Sequence, residues 1–481
     1  MFKFFCFLFC LLISLTACHK QEANQRQDIR FAVAQAPINL DPRYATDAAS
    51  ARVNRLLYRS LVGFDASSKP IADLATWQMI SPLQYRFKLG ATGRKFHDGS
   101  QLSAKDVQAT YESLLALKDS PLSAEFANIR RIQTLDESRL DFYLKEADQT
   151  FPAKLIIGIL PAAQVAASRD FSRHPLGSGV MAFASWTNAL QLNRVTDGQS
   201  ITLLEVKDPT VRILKLMRGE VDILQGDLPP ELVRYLKEQP TIKVSESNGA
   251  NFSYLGFNLQ DKTLANLKVR QAIAHAINRP EIIHQALVGS TREAGAILPP
   301  EHWAGSFVLK PYEYNPALSK KLLQEAGVQL PLHLDYKTST DAQRVRLATI
   351  MQAQMAEAGI ALEIKSLDWG TFFEDVKQGH FQLFGLTWVG INTPDIYAKA
   401  FGSDNAPPKG FNRGRFSDAH LDALLAKHDW LTATNYIHQQ LPYVPLWYEG
   451  QFAATQIGIS NYAPKADGNW DDLATVVRHS H

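Results

Sequence analysis

Asn251–Leu287, "NFSYLGFNLQDKTLANLKVRQAIAHAINRPEIIHQAL", holds a strand and two helices in one reading. Phe252 and Tyr254 fall on alternate positions of "NFSYLGFNL", the period of a strand with one face packed. The text then turns helical on either side of Asn278-Arg279-Pro280, because Pro tolerates only the first turn of a helix. The same alternation extends outward. Upstream, "SITLLEV" (200–206) reads as a strand. "DPTVRILKLMRGEVDIL" (208–224) reads as a helix that stops at Gly219 and runs into a strand. Downstream, the helices in 315–328 and 341–360 end at Gly327 and Gly359, residues suited to the left-handed C′ position. Strands are expected at "LEIKSLDW" (362–369) and "FQLFGLTW" (381–388).

The N-terminal third reads as shorter elements. Ile29 to Ala34 is a strand, and residues 47–62 carry Val53, Leu56, Leu57 and Leu61 at helical spacing. Trp77 and Met79, then Tyr85, Phe87 and Leu89, alternate around Ser81-Pro82 and predict a hairpin. Ser103 is suited to N-cap the helix of 103–117, with Asp106 adding negative charge to its first turn. "SRLDFYL" (138–144) is strand-like, and a Pro-bounded apolar segment spans 151–165. The whole is mixed α/β, without internal repeat or low-complexity tract.

The chain opens "MFKFFCFLFCLLISLTACHK". One Lys, an apolar run too short to span a bilayer and small residues before Cys18 read as a signal peptide, 1–17. Leu15-Thr16-Ala17-Cys18 resembles the lipobox of bacterial lipoproteins, which implies lipidation of Cys18. Residues 18–27 are then a polar tether. Cys6, Cys10 and Cys18 are the whole cysteine complement, so the expected mature body has no disulfide and depends on its core. With 481 residues and 46% hydrophobic content, two or three domains are expected. Lys and Arg number 50 against 48 Asp and Glu, which gives no reason to expect a nucleic-acid partner.

No nucleophile elbow, zinc helix, P-loop or dinucleotide turn is present in the text. His275 and His284 lie nine apart without a third ligand, and "RHSH" (478–481) is a terminus. No catalytic residue, metal or cofactor is therefore expected. Aromatics are more informative. Trp369, Phe372, Phe373, Trp388, Tyr397, Phe401, Phe411 and Phe416 crowd into one stretch, and Trp388 ends a strand before a Gly- and Asn-containing loop. Aromatics on such loops commonly line clefts between domains. Asn392, Asp395 and Arg413 add polar groups there.

Seven segments occurring in order resemble the bacterial extracellular solute-binding proteins of family 5, the peptide/nickel class. They are "YRFKLGATGRKFHDGSQLSAKDV", "DPTVRILKLMRGEVDIL", "YLGFNLQDKTLANLKVRQAIAHAINR", "YNPALSKKLLQEAGV", "LDWGTFFEDVKQGHFQLFGLTW", "NRGRFSDAHLDALL" and "LPYVPLWY". The resemblance implies a two-lobed binding-protein fold with an extra subdomain and no catalysis. Lobe I would comprise 28–43, 175–257 and 448–478, its additional subdomain 44–174, and lobe II 258–447. The chain would cross between lobes at Tyr254–Leu259 and return at Val444–Tyr448. Ligand would be buried between the lobes on closure.

In the peptide-binding members a Trp on the 388 loop is followed three residues later by an Asp that pairs with the ligand's amine. Here Trp388 is kept and Ile391 stands at the Asp position. Asp395 either turns back into the cleft as a substitute or caps the helix that begins there. Tyr44, Asn251, Tyr254, Trp369, Asn392 and Arg413 complete the expected ligand contacts, with Arg413 suited to a carboxylate. The resemblance implies a monomeric receptor that delivers peptides or peptide-like solutes to an ABC permease from a lipid-anchored position, periplasmic or at the cell surface. The alternatives are a receptor for a metal chelate, haem or sugar, and a surface lipoprotein with a chaperone-like or sensing role.

Overall fold

The computed structural model describes residues 27–45, 47–287 and 289–479. The signal peptide, Cys18, nearly all of the tether and His481 lie outside the described residues. No helix among those described is long and apolar enough to cross a membrane.

An 11-stranded sheet runs through the protein. Its centre is formed by two long antiparallel strands, Ile242–Phe257 and Tyr443–Gln456, paired along most of their length. On one side follow Ile223–Gln225, Ile29–Val33, Ser200–Glu205, Leu190–Arg194 and Met181–Trp186. On the other follow Leu383–Trp388, Leu332–Ser339 and Ile360–Leu367, the last two parallel, and the short strand Arg292–Glu293 pairs with Tyr443–Gln456 off this path. The long strands change core along their course. Ile242, Phe452 and Ala454 pack with Ile213, Leu224 and Leu236. Leu255, Phe257, Val444 and Leu446 pack with Ile273, Leu334 and Met351. Two bodies are thus joined through the same pair of strands, with a register shift between Ser247 and Asn251 where they meet. Gly249 lies at that shift, where an added Cβ would come 1.5 Å from the Glu449 carbonyl oxygen, so only glycine fits.

A third core lies under a separate four-stranded sheet. Phe87, Leu140 and Phe142 from its strands pack on Val107, Tyr111 and Leu114 of the helix Ala104–Ala116. Ser103 and Asp106 form a capping box at its start, which satisfies otherwise orphaned N–H groups. The expected hairpin is Ala75–Ser81 with Gln84–Leu89.

The opening stretch folds as read. Asn266 and Asn278 cap the helices Leu267–His275 and Arg279–Ala286. Arg279 is fully buried and donates to the carbonyls of Ala274, Ile277, Tyr312 and Pro445. Burial pushes its guanidinium down to about 10, and these backbone acceptors stand in for water.

Two expectations are corrected. The helix expected over 47–62 is Ala48–Leu57; residues 58–61 are in no helix or strand, and Val62 begins the strand Val62–Phe64. The strand expected through Trp369 ends at Leu367. Asp368 accepts from the Thr371 N–H, so Trp369 opens the helix Trp369–Gln378. The apolar segment 151–165 contains two short helices, Phe151–Lys154 and Ala162–Ala166.

Candidate ligand cleft

A cavity of 460 Å³ opens where the long strands pass between the two bodies. Asn251, Ser253, Tyr254, Trp447 and Glu449 come from those strands. Gln225 to Leu228 come from one body, and Thr338, Arg344, Gly385 and Thr387 from the other. Strand alternation decides what faces it. Ser253 stands opposite Thr387, while Phe252 stands opposite Trp388 one step along. Successive side chains take opposite faces. Ser253 and Thr387 therefore reach the cavity, Phe252 and Trp388 enter the aromatic core behind it, and Tyr254 belongs to that core while also bordering the cavity.

At the cavity wall Ser253 Oγ donates to Glu449 Oε1 at 2.7 Å, and Thr387 Oγ1 donates to the same oxygen at 2.9 Å. The two hydroxyl oxygens are 2.8 Å apart. Two cations also line the cavity. Arg344 reaches the Gly385 carbonyl at 3.5 Å, and Arg52 lies over the ring of Trp470 at 5.4 Å. Neither forms an ion pair among the described residues. The lining thus offers two guanidinium groups and the carboxylates of Glu449, Asp227 and Asp341, the last already accepting from the Arg344 N–H at the start of its helix.

Behind this wall, Arg413 is only 9% exposed and has no carboxylate partner among the described residues. Its guanidinium lies 4.6 Å from the Trp388 ring centroid, 5.5 Å from that of Phe373 and 5.7 Å from that of Phe411. Among the described residues its side chain hydrogen-bonds to the Tyr254 hydroxyl, at 3.3 Å. Burial raises the Tyr254 phenol while Arg413 opposes the shift. Trp388 Nε1 is buried without a hydrogen-bond partner.

The expected contacts therefore fall into three places. Asn251 and Tyr254 border the cavity. Trp388 and Arg413 form the aromatic cluster with Tyr254, and Trp369 joins it from outside, 53% exposed and stacked on Phe373. Tyr44, Asn392 and Asp395 lie elsewhere. Tyr44 donates to Asp119, and the Asn392 carbonyl faces His302 Nε2 at 3.1 Å. Asp395 does neither of the things expected of it. It makes no side-chain cap on the helix Ile396–Phe401 and does not border the cavity, but accepts from Thr150 Oγ1 at 2.7 Å. Ile391 packs on the aromatic core. Ser253, Thr387, Arg344 and Glu449 were not anticipated. Their signal was present for Glu449, a lone acid in the otherwise uncharged strand Tyr443–Gln456.

Comparison with known proteins agrees with this architecture. The Listeria monocytogenes ABC transporter substrate-binding protein CtaP superposes with a TM-score of 0.83 at 21% identity, covering 94% of this chain and 99% of that one. The periplasmic binding protein DppA of Helicobacter pylori, solved with the peptide STSA, superposes with a TM-score of 0.75 at 24% identity, covering 94% and 98%. The fold is therefore that of the two-lobed binding proteins. In sequence, the glutathione-binding protein GsiB of Escherichia coli (strain K12) is 27% identical over 492 residues, spanning 93% of this chain and 94% of its own length. Residues 69–407 match the family described as bacterial extracellular solute-binding proteins, family 5 Middle. The chain belongs to the bacterial extracellular solute-binding proteins of family 5.

Proposed function

We propose that this solute-binding protein is the receptor of an ABC importer for short peptides or peptide-like solutes, held at the membrane through Cys18 and performing no catalysis. The observation that carries the reading is the cavity between the two bodies, lined by the carboxylates of Glu449, Asp227 and Asp341 and by two guanidinium groups that form no ion pair among the described residues. Such a lining suits a zwitterion. Its 460 Å³ lies in the range of about 300–1,000 Å³ typical of small-molecule sites, which favours a di- or tripeptide over a long chain. The likeness to a glutathione-binding protein, whose ligand is peptide-like, points the same way.

In this reading 28–43, 175–257 and 448–478 form lobe I, 44–174 its subdomain and 258–447 lobe II. The change of core along the two long strands supports that division. Solute binds between the lobes and stabilises the closed form by its preference for it. The closed monomer then docks on the permease.

Thermal unfolding with a library of di- to hexapeptides tests the reading. A bound peptide raises the midpoint by mass action. No shift with any member sinks the peptide assignment. Mass spectrometry of solute co-purified from the native host then identifies a metal chelate, haem or sugar instead.

A further inference from the structure

We infer that Glu449 is the ammonium anchor of the cleft, taking the place of a carboxylate at Ile391, and that the solute enters amine-first toward the two long strands. The inference deepens the receptor reading above and rests on it.

Two neutral hydroxyls, from Ser253 and Thr387, converge on one oxygen of Glu449. They fix the carboxylate's direction without neutralising its charge. Its other oxygen has no partner among the described residues, and no cation there forms an ion pair with it. A half-buried carboxylate built in this way is complemented by a cation. An ammonium brings three donors and fits a single free carboxylate oxygen as a point charge.

The rest of the cavity sets the polarity of the solute. Arg344 projects from the helix Ala342–Glu357 into the same space and makes no ion pair with Glu449. Opposite charges held apart across one cavity accept the two ends of a zwitterion. Asp395, the other acid expected at this position, is already hydrogen-bonded to Thr150 and does not border the cavity.

Calorimetry on the intact mature protein tests the assignment. The probes are a panel of di- and tripeptides including glutathione, their N-acetylated forms, and the simple amines L-alanine and putrescine. For the tightest peptide, N-acetylation is expected to weaken binding by about 10- to 100-fold. Glu449→Gln is expected to cause a similar loss for the free peptide and no loss for its acetylated form. Asp395→Asn is expected to change either by less than about threefold. Unaltered affinity on N-acetylation overturns the anchor without any variant having to fold. Wild-type affinity in Glu449→Gln, or the loss appearing in Asp395→Asn, overturns it too. If no peptide binds but an amine does, and Glu449→Gln abolishes that binding, the peptide reading falls and the anchor stands. If neither peptides nor amines bind, both fall.

Discussion

The guanidinium of Arg413 lies 4.6 Å over the ring of Trp388, on the face of the strand Leu383–Trp388 opposite to Thr387. Among the described residues, three aromatic rings and one phenol hydroxyl meet this buried cation. Desolvation of a charge costs more than cation–π contacts at exposed sites return, about 0.5–1 kcal/mol each, although the contacts strengthen when dry. The volume of the side chain therefore matters more to stability than its charge. Arg413→Met should stay within about 1 kcal/mol of the wild type, while Arg413→Ala should lose about 2–4 kcal/mol by opening a void among the rings. Urea titrations followed by Trp fluorescence compare the two. Equal losses in both variants would show that the charge itself is required.

Why the sequence revealed the fold better than the site follows from these same residues. Helices and strands announce themselves through local period and caps, as at Asn266, Asn278 and Ser103. The site depends on which face of a strand meets the cavity, and that is set by pairing across more than a hundred residues. Trp388 and Thr387 are neighbours in sequence and go to opposite faces. The large aromatic drew attention, whereas the small hydroxyl beside it touches the cavity. Asp395 shows the same limit, because its partner Thr150 is 245 residues away. Trp369 was misplaced for a local reason: Asp368 is a helix cap, and its ability to end the strand outweighed the apolar run before it.

Gly249 permits the close approach of the two long strands where they leave one core for the other. A methyl group there would meet the Glu449 carbonyl oxygen of the opposing backbone, which cannot rotate away as a side chain would. Gly249→Ala should therefore cost roughly 3–5 kcal/mol, in the range of severe overpacking. Because Glu449 belongs to the displaced backbone, ligand affinity should fall as well. A thermal midpoint for Gly249→Ala within two degrees or so of the wild type would contradict the packing argument.

His302 predicts a pH dependence. The residue is 5% exposed, and its ring nitrogens face the Asn392 carbonyl and the Ala304 N–H. Burial holds its pKa below the ordinary 6.5, with the Asn392 carbonyl opposing the shift. The unfolded chain then binds a proton at a higher pH than the folded one. Stability is full above the unfolded value of 6.5 and falls as pH drops from there toward the folded value. His97 and His438 are displaced in the same direction, again chiefly by burial. Urea midpoints should therefore decline on acidification below about pH 6.5. His302→Gln, which cannot titrate, should reduce the slope in that window. An unchanged slope would remove His302 from the account.

Glu231 and Arg346 form an ion pair between the helix Pro230–Lys237 and the helix Ala342–Glu357, both of which contribute other residues to the cavity lining. In the receptor reading proposed above, the helices belong to the two bodies that separate to admit solute. Both side chains remain nearly half exposed, so water and salt screen them, and the pair contributes about 0.5 kcal/mol or less to the contact between the two helices. Arg346→Ala should therefore weaken ligand binding by less than about threefold, with the loss disappearing in about 1 M salt. The hydrogen bond from Arg346 is the main cause holding the Glu231 carboxyl below its ordinary value. Its contribution is accordingly present above the usual glutamate pKa and is lost as pH falls through the depressed value. Calorimetry of wild type and Arg346→Ala at low and high salt reads the effect directly. A loss that survives high salt would mean that Arg346 contributes by packing its stem on the cavity rim and not by its charge.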